Sequence, residues 1–264
     1  MTQITSTQNP RIKYLVKLRD DKRQRQKDGL MLVEGFDEIQ LALAAGHKPH
    51  TLLYAPELVS RQIGRLHAET LTVNRAVFEK LSYRENPDGW LAVFPIPRLS
   101  LADLKLNETP LVILAESLEK PGNLGAILRT ADAARVDAVL VCDPRVDAWN
   151  PNVVRASRGA VFSVPLVECD AVSALEWLRG RKIRIIAATP SAEVLYTDID
   201  FSHPAAIAVG VEDRGLSDFW LSSADVKVKI PMMGKVNSLN VSVSAALIVY
   251  EAVRQRGKMT SGKE

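Results

Sequence analysis

The segment that most constrains the fold is 110–144, where two apolar runs flank one helix-like stretch. LVILAES at 111–117 shows no polar–apolar alternation, which is the pattern of a strand buried on both faces. A loop, LEKPG, leads into NLGAILRTADAARV, and a second apolar run, DAVLVCDP, follows. Strand, helix and strand at this spacing make a βαβ unit, which implies a parallel sheet. Apolar runs at 161–167, 183–190, 205–212 and 226–232 extend the sheet, and a helix over 238–254 closes the domain. Upstream, strands are expected at 30–35 and 50–56. Between them a helix over 36–45 shows Phe36, Ile39 and Leu43 on one face and Gly46 at its end. Asn74 can cap a short helix containing Val77, Phe78 and Leu81. Asn86-Pro87-Asp88-Gly89 is a turn signal before the strand WLAVF. The proline-bearing polar stretch 95–108 reads as a linker. The class is α/β, a small α/β domain followed by a larger parallel-sheet domain.

At 264 residues, 47% hydrophobic and 25% charged, the chain can bury an ordinary core, and disorder throughout is excluded. No apolar run approaches the roughly 20 residues that span a bilayer. The N-terminus lacks the apolar centre of a secretory signal. A cytoplasmic protein with no membrane partner is therefore expected. Cys142 and Cys169 are too few for a disulfide framework, form no CxxC pair, and read as small buried hydrophobes. His47, His50, His67 and His203 have no H-x3-H or HExxH spacing, so no metal site is expected. The net charge of +3 is unevenly distributed: residues 1–30 hold eight Lys/Arg against three Asp/Glu, and the rest hold 26 against 28. A basic arm over 1–27 suits attraction to phosphate, although a merely solvated helix would carry the same charges.

Three segments are richer in polar residues and glycine than their surroundings require, and each follows a predicted strand, where open parallel sheets place ligands. In EKPGNLGAILR (119–129), Pro121-Gly122 makes a turn, Asn123 is a good helix N-cap, and Gly125 permits close backbone approach. Arg129 lies six residues after Asn123, so a regular helix does not put them on one face; an irregular first turn would be needed to aim both at one substrate. The G-x-G-x-x-G fingerprint is absent, which counts against a dinucleotide enzyme. In AVGVEDRGLS (208–217), a buried strand runs into Glu212, Asp213, Arg214 and Gly215. Gly210 is costly within a strand unless something must approach the backbone. In the stretch 229–251, Pro231 ends a strand, Gly234 allows a turn, and Ser238 or Asn240 can cap the next helix, whose N-terminal amides suit an anion.

Together the unbroken patterns N-x-G-x-x-x-R, G-x-E-x-x-G-L-S and I-P-M-x-G-x-x-x-S-L-N-V-S-V-S-A-A resemble the three signature motifs of the SpoU/TrmH family of RNA 2′-O-ribose methyltransferases, in the SPOUT superfamily. The match covers roughly 110–255. Residues 28–95 resemble, less sharply, the small α/β RNA-binding domain that precedes the catalytic domain in many ribosomal RNA members. The resemblance implies an α/β-knot domain with a deep trefoil knot over 109–258. Before it come the basic arm 1–27, an RNA substrate-binding domain 28–97 and a linker 98–108; after it comes a disordered tail 259–264. It further implies S-adenosylmethionine as cofactor, ribosomal RNA as the favoured substrate, and a homodimer formed through the knotted domain.

What the resemblance implies for the site can be stated residue by residue. Gly210, Ile230, Met232 and Leu239 hold the cofactor, largely through backbone groups, and a loop near Thr189 closes one side. Arg129 contacts the target phosphate and ribose, either as a clamp or as acceptor of the 2′-hydroxyl proton; an arginine is a poor base. Asn123, Glu212, Ser238 and Asn240 keep Arg129 and the cofactor in register. Arg158 matches a position associated with substrate RNA. The alternatives are a transfer-RNA methyltransferase and a non-catalytic RNA-binding protein that retains the fold; the intact motif residues count against the second.

Overall fold

The computed structural model describes residues 2–260 except Arg65 and Glu212, with backbone alone for Thr2 and for 258–260. The chain forms two compact units. The first takes in residues up to Pro97 together with Asp147–Ser163, and the second Arg98–Val146 and the chain from Val164 onward.

The first unit begins with β1 (Thr2–Ile4), α1 (Pro10–Asp20), α2 (Lys22–Asp28), β2 (Leu30–Glu34) and α3 (Phe36–Ala44). It continues with β3 (Thr51–Tyr54), β4 (Glu69–Val73), α4 (Arg75–Leu81) and β5 (Trp90–Pro95). The strands lie in the order β1-β4-β3-β5-β2. The β1–β4 and β4–β3 pairs are parallel, and the β3–β5 and β5–β2 pairs antiparallel. The basic arm expected over 1–27 is built into this unit. Asn9 caps α1 by accepting the Arg11 amide at 2.9 Å, with Pro10 in the first helical position. Ile12, Leu15 and Leu18, three residues apart on one helical face, are buried with Leu53, Phe78 and Leu91. Asn74 caps α4, accepting the Val77 amide at 3.0 Å. The strand β4 had no counterpart in the sequence reading.

The second unit starts with β6 (Leu111–Glu116), α5 (Pro121–Ala133) and β7 (Ala138–Cys142). The short helix α6 (Pro151–Ala156) belongs to the first unit. Then come β8 (Leu166–Cys169), α7 (Ala171–Gly180), β9 (Arg184–Ala188), β10 (Val194–Leu195), β11 (Ala205–Val209), α8 (Asp218–Ser223), β12 (Val226–Lys229) and α9 (Val241–Thr260). The seven strands are ordered β10-β12-β9-β11-β6-β7-β8, and every pair is parallel. The central pair β6 and β11 is buried along its whole length, as the non-alternating runs require. From β6 the chain steps one way to β7 and β8, then returns on the other side through β9, β11 and β12. The carboxyl edge near such a reversal is where open parallel sheets hold ligands.

Several local expectations are corrected. The run 161–167 is not one strand. Gly159 is left-handed (φ +85°), residues Ala160–Phe162 make a 3-10 turn, and pairing starts only at Leu166, after Pro165, which has no amide to donate. Asn123 does not cap α5: the helix begins two residues earlier, with Lys120 at the N-cap and Pro121 in the first turn. The closing helix starts at Val241 rather than 238 and runs to Thr260, into the expected tail; residues 261–264 lie outside the described residues. Cys142 and Cys169 are register partners on β7 and β8, with sulfurs 4.0 Å apart and both thiols free. The hydrogen bond to Cys169, together with burial, pushes the Cys142 thiol up from its ordinary value.

Candidate functional site

A cavity of about 460 Å³ opens at the carboxyl ends of β9, β11 and β12, against the start of α9. Small-molecule sites occupy roughly 300–1,000 Å³. Thr189, Gly210, Ile230, Met232 and Leu239 come from segments far apart in sequence and all line this one cavity, as does Ser238. Its walls are mainly apolar, with Val209, Leu216 and Val228 beside Ile230 and Leu239. Thr189, Ser191, Asn237 and Ser238 supply polar points, and Asp213 and Arg214 supply one charge of each sign. The Thr189 amide donates to the Val228 carbonyl at 2.9 Å, which ties the exit of β9 to β12.

The turn after β11 explains why glycine stands at 210. A Cβ there would lie 2.1 Å from the Gly215 carbonyl oxygen and 2.4 Å from the Leu216 nitrogen, so the chain can double back only without a side chain. The Gly215 amide closes the turn on the Val211 carbonyl at 2.8 Å. Glu116, buried at the end of β6, accepts the Ser217 amide at 2.8 Å and so anchors the turn to the central strand. Glu116 was not singled out in the sequence. The signal was there: one carboxylate closing an otherwise apolar strand has to find a donor.

Asn240 rather than Ser238 caps α9, its Oδ1 accepting the Ser242 amide at 2.9 Å and the Ser242 hydroxyl at 2.6 Å. Its Nδ2 donates to Asn123 Oδ1 at 3.1 Å, joining the first turn of α5 to the start of α9. A smaller cavity of about 50 Å³ lies beside Lys120 and Asn123 and shares Val211, Asp213, Arg214 and Val241 with the larger one. The first, second and third sequence motifs therefore meet at one edge of the sheet.

Two expected site residues do not join them. Arg129 is exposed on α5, roughly 120° around the helix axis from Asn123. The first turn of α5 is not reshaped to align the pair, and Arg129 lines neither cavity. Its side chain makes no hydrogen bond or ion pair with another described residue. Arg158 is exposed in the first unit. Glu212 lies outside the described residues.

A parallel sheet with one small-molecule cavity built from three strand-end loops defines an α/β ligand-binding domain, preceded by a second, smaller sheet domain. Residues 110–250 match the model of the SpoU rRNA Methylase family, and residues 9–92 that of the MRM3-like substrate binding domain. The chain belongs to the SpoU rRNA methylase family. A 23S rRNA (uridine(2479)-2′-O)-methyltransferase of Streptomyces viridochromogenes is 31% identical to it, over 96% of this chain and 92% of that one. Among solved structures, an RNA 2′-O ribose methyltransferase is 42% identical, with a TM-score of 0.85 over 97% of this chain and 99% of that one. An S-adenosylmethionine-bound rRNA methyltransferase from Sinorhizobium meliloti is 28% identical, with a TM-score of 0.87 over 96% and 97% of the two chains.

Proposed function

We propose that this protein transfers the methyl group of S-adenosylmethionine to a ribose 2′-hydroxyl of ribosomal RNA. The observation that carries this reading is the convergence of Thr189, Gly210, Ile230, Met232 and Leu239 on one cavity in a chain of this family. The cavity fits the cofactor chemically: its apolar walls suit a purine, and the hydroxyl and amide side chains of Thr189, Ser191, Asn237 and Ser238 suit polar substituents. When bound, S-adenosylmethionine supplies a methyl group already activated by a sulfonium.

The chain's own task is then to present a weak nucleophile in line. Positioning of this kind can supply several kcal/mol, up to about 7–11 in the best cases. Arg129 serves as the clamp on the target phosphate and ribose, a role matched to a guanidinium fork; as a proton acceptor it would have to give up a charge that arginine keeps. The Asn123–Asn240 hydrogen bond holds α5 and α9 in register, and Glu212 and Ser238 complete the set. Arg158 contacts the RNA from the first unit. The 109–258 segment forms the trefoil knot, and the cytoplasm is the compartment in which the enzyme meets its RNA.

Exposed Val243, Leu247 and Tyr250 are spaced four and three residues apart along α9, and Met233 and Val236 in the segment between β12 and α9 are exposed as well. A homodimer formed through this face buries an apolar stripe. Because α5 packs along α9, the same interface brings Arg129 toward the partner's site. Sedimentation should give twice the 29.1 kDa chain mass, and Leu247→Glu with Tyr250→Glu should give monomer; a monomeric wild type would contradict the dimer.

The backbone-held cofactor site is tested at Gly210. Gly210→Ala forces the 210–217 turn to shift, so S-adenosylmethionine affinity measured by calorimetry should fall, and methyl transfer should drop by about 10²-fold, since a displacement of about 1 Å in a positioned site costs a rate of that size. Wild-type affinity in this variant would remove the turn from the cofactor site.

A further inference from the structure

Apart from the cavities at the sheet edge, the first unit contains one of about 360 Å³, lined entirely by polar side chains: Glu38, Arg84, Glu85, Asn86, Arg155 and Arg158. Its three arginines are held differently. Arg84 pairs with Glu38 at 2.6 Å and donates to the Glu34 carbonyl at 2.8 Å, so its fork is fixed and its charge compensated, and its Nε is buried with no partner. The Arg158 amide donates to the Arg155 carbonyl at 3.0 Å, while the side chains of both arginines are exposed and form no ion pair or hydrogen bond with another described residue. Against them stands Glu85 on the lining, and Asp37 beyond it lies close enough to Arg158 for their charges to attract. With three arginines and two glutamates, the lining carries a formal charge of +1.

The backbone that presents Arg158 is held by close packing. Arg158 has φ +51°, uncommon for a residue with a side chain. The next residue, Gly159, has φ +85°, and a Cβ on it would lie 2.9 Å from Leu41 Cδ1 and 3.3 Å from Glu38 Cα. The Ser157 hydroxyl, buried, donates to the Val154 carbonyl at 2.9 Å. The 157–159 turn is thus packed hard against α3, which fixes the backbone from which Arg158 projects.

We propose that this cavity is a phosphate-binding site for the substrate RNA, with Arg155 and Arg158 gripping a backbone phosphate beside the fixed Arg84 fork and the Asn86 amide. It rests on the RNA reading above and gives the first unit a defined foothold that the sequence did not disclose, since only Arg158 was singled out there. Guanidinium pairs suit phosphate because their donors match its oxygens two at a time. A free phosphate or nucleotide offers the same oxygens, so the test separates it from RNA.

The full-length wild type is compared with the Arg155→Ala/Arg158→Ala double variant and with the matching double lysine variant. The probe is unmodified large-subunit ribosomal RNA transcribed in fragments, titrated from about 50 to 200 mM salt. The alanine pair should weaken RNA binding by about tenfold or more and reduce the salt slope by about one. The lysine pair should recover part of the loss, as point charges without the fork. S-adenosylmethionine affinity and the thermal midpoint should stay close to the wild-type values, because neither side chain has a hydrogen-bonded or ion-paired partner to lose. RNA affinity and slope unchanged by the alanine pair would overturn the site while leaving the methyltransferase reading standing. Calorimetric binding of inorganic phosphate that is lost in the alanine pair, with RNA binding untouched, would likewise overturn it in favour of a small-anion site. A wild type that binds no ribosomal RNA at all would bring down both readings.

Discussion

Arg129→Ala is expected to lower methyl transfer to RNA by about 10²–10³-fold, the loss typical when one charged or hydrogen-bonding group is removed from a preorganised site, while S-adenosylmethionine affinity stays at the wild-type value. The separation follows from position. Arg129 is exposed on α5 and lines neither strand-end cavity, so within one chain it has no contact through which to hold the cofactor, and across the proposed dimer it is offered to the RNA. Single-turnover transfer at saturating RNA, with calorimetry for the cofactor, reads the two quantities apart. Arg129→Lys should recover only part of the rate, because an ammonium keeps the charge and loses the planar fork. Equal loss of transfer and cofactor affinity would instead place Arg129 inside the cofactor site.

The largest effect on stability is expected at Arg25. Its side chain is 2% exposed and bonds Asp147, itself 10% exposed, through Nε at 2.8 Å and Nη2 at 2.6 Å. Its Nη1 donates to the Leu18 and Arg19 carbonyls at 2.8 and 2.6 Å. One guanidinium therefore ties α1, α2 and the 147–163 segment together within the first unit. Arg25→Ala leaves a carboxylate with little access to water and no opposite charge, only the Trp149 amide at 3.1 Å on its Oδ1, a change that costs about 3–5 kcal/mol and lowers the thermal midpoint by on the order of 10 °C for a chain of this size. The decisive variant is the pair Arg25→Met with Asp147→Leu. Removing both charges should restore most of the loss, because a buried ion pair and an apolar pair of similar volume are often close in energy. A double variant as unstable as Arg25→Ala would mean that the carbonyl contacts, and not the charge pairing, hold the segment.

Arg25 also shows why part of the fold was hidden in the sequence. In the run KRQRQKD it is one basic residue among several, and composition reads such a run as solvated. Which arginine turns inward is decided by Asp147, 122 residues away. The apolar positions Ile12, Leu15 and Leu18 form a helical stripe in the sequence, but they are outnumbered by the surrounding lysines and arginines, so net charge dominates the composition of the segment. The same long-range packing puts 147–163 with the first unit although it lies between β7 and β8 in sequence. Truncating at residue 95 would strip that segment of its core, so point substitutions test the RNA-binding role more cleanly than deletion.

What periodicity and spacing did reveal is the part set by local rules. The strands β6, β7, β9 and β11 fall inside the expected apolar runs, because a strand buried on both faces leaves no other pattern, and β12 falls inside one too although its VKVK alternates and is only partly buried. The meeting of Thr189, Gly210, Ile230, Met232 and Leu239 follows from parallel topology, which gathers strand-end loops at one edge. Arg129 is the instructive exception. Its spacing from Asn123 already said that one regular helix separates them, and α5 keeps them apart.

Transfer of a labelled methyl group from S-adenosylmethionine to unmodified ribosomal RNA and, separately, to transfer RNA, followed by digestion to nucleosides, tests the proposed reaction most directly. Label confined to a 2′-O-methyl nucleoside from the ribosomal RNA pool is the predicted result. Label on a base, label from transfer RNA alone, or no transfer to ribosomal RNA by a protein that binds no S-adenosylmethionine would contradict it.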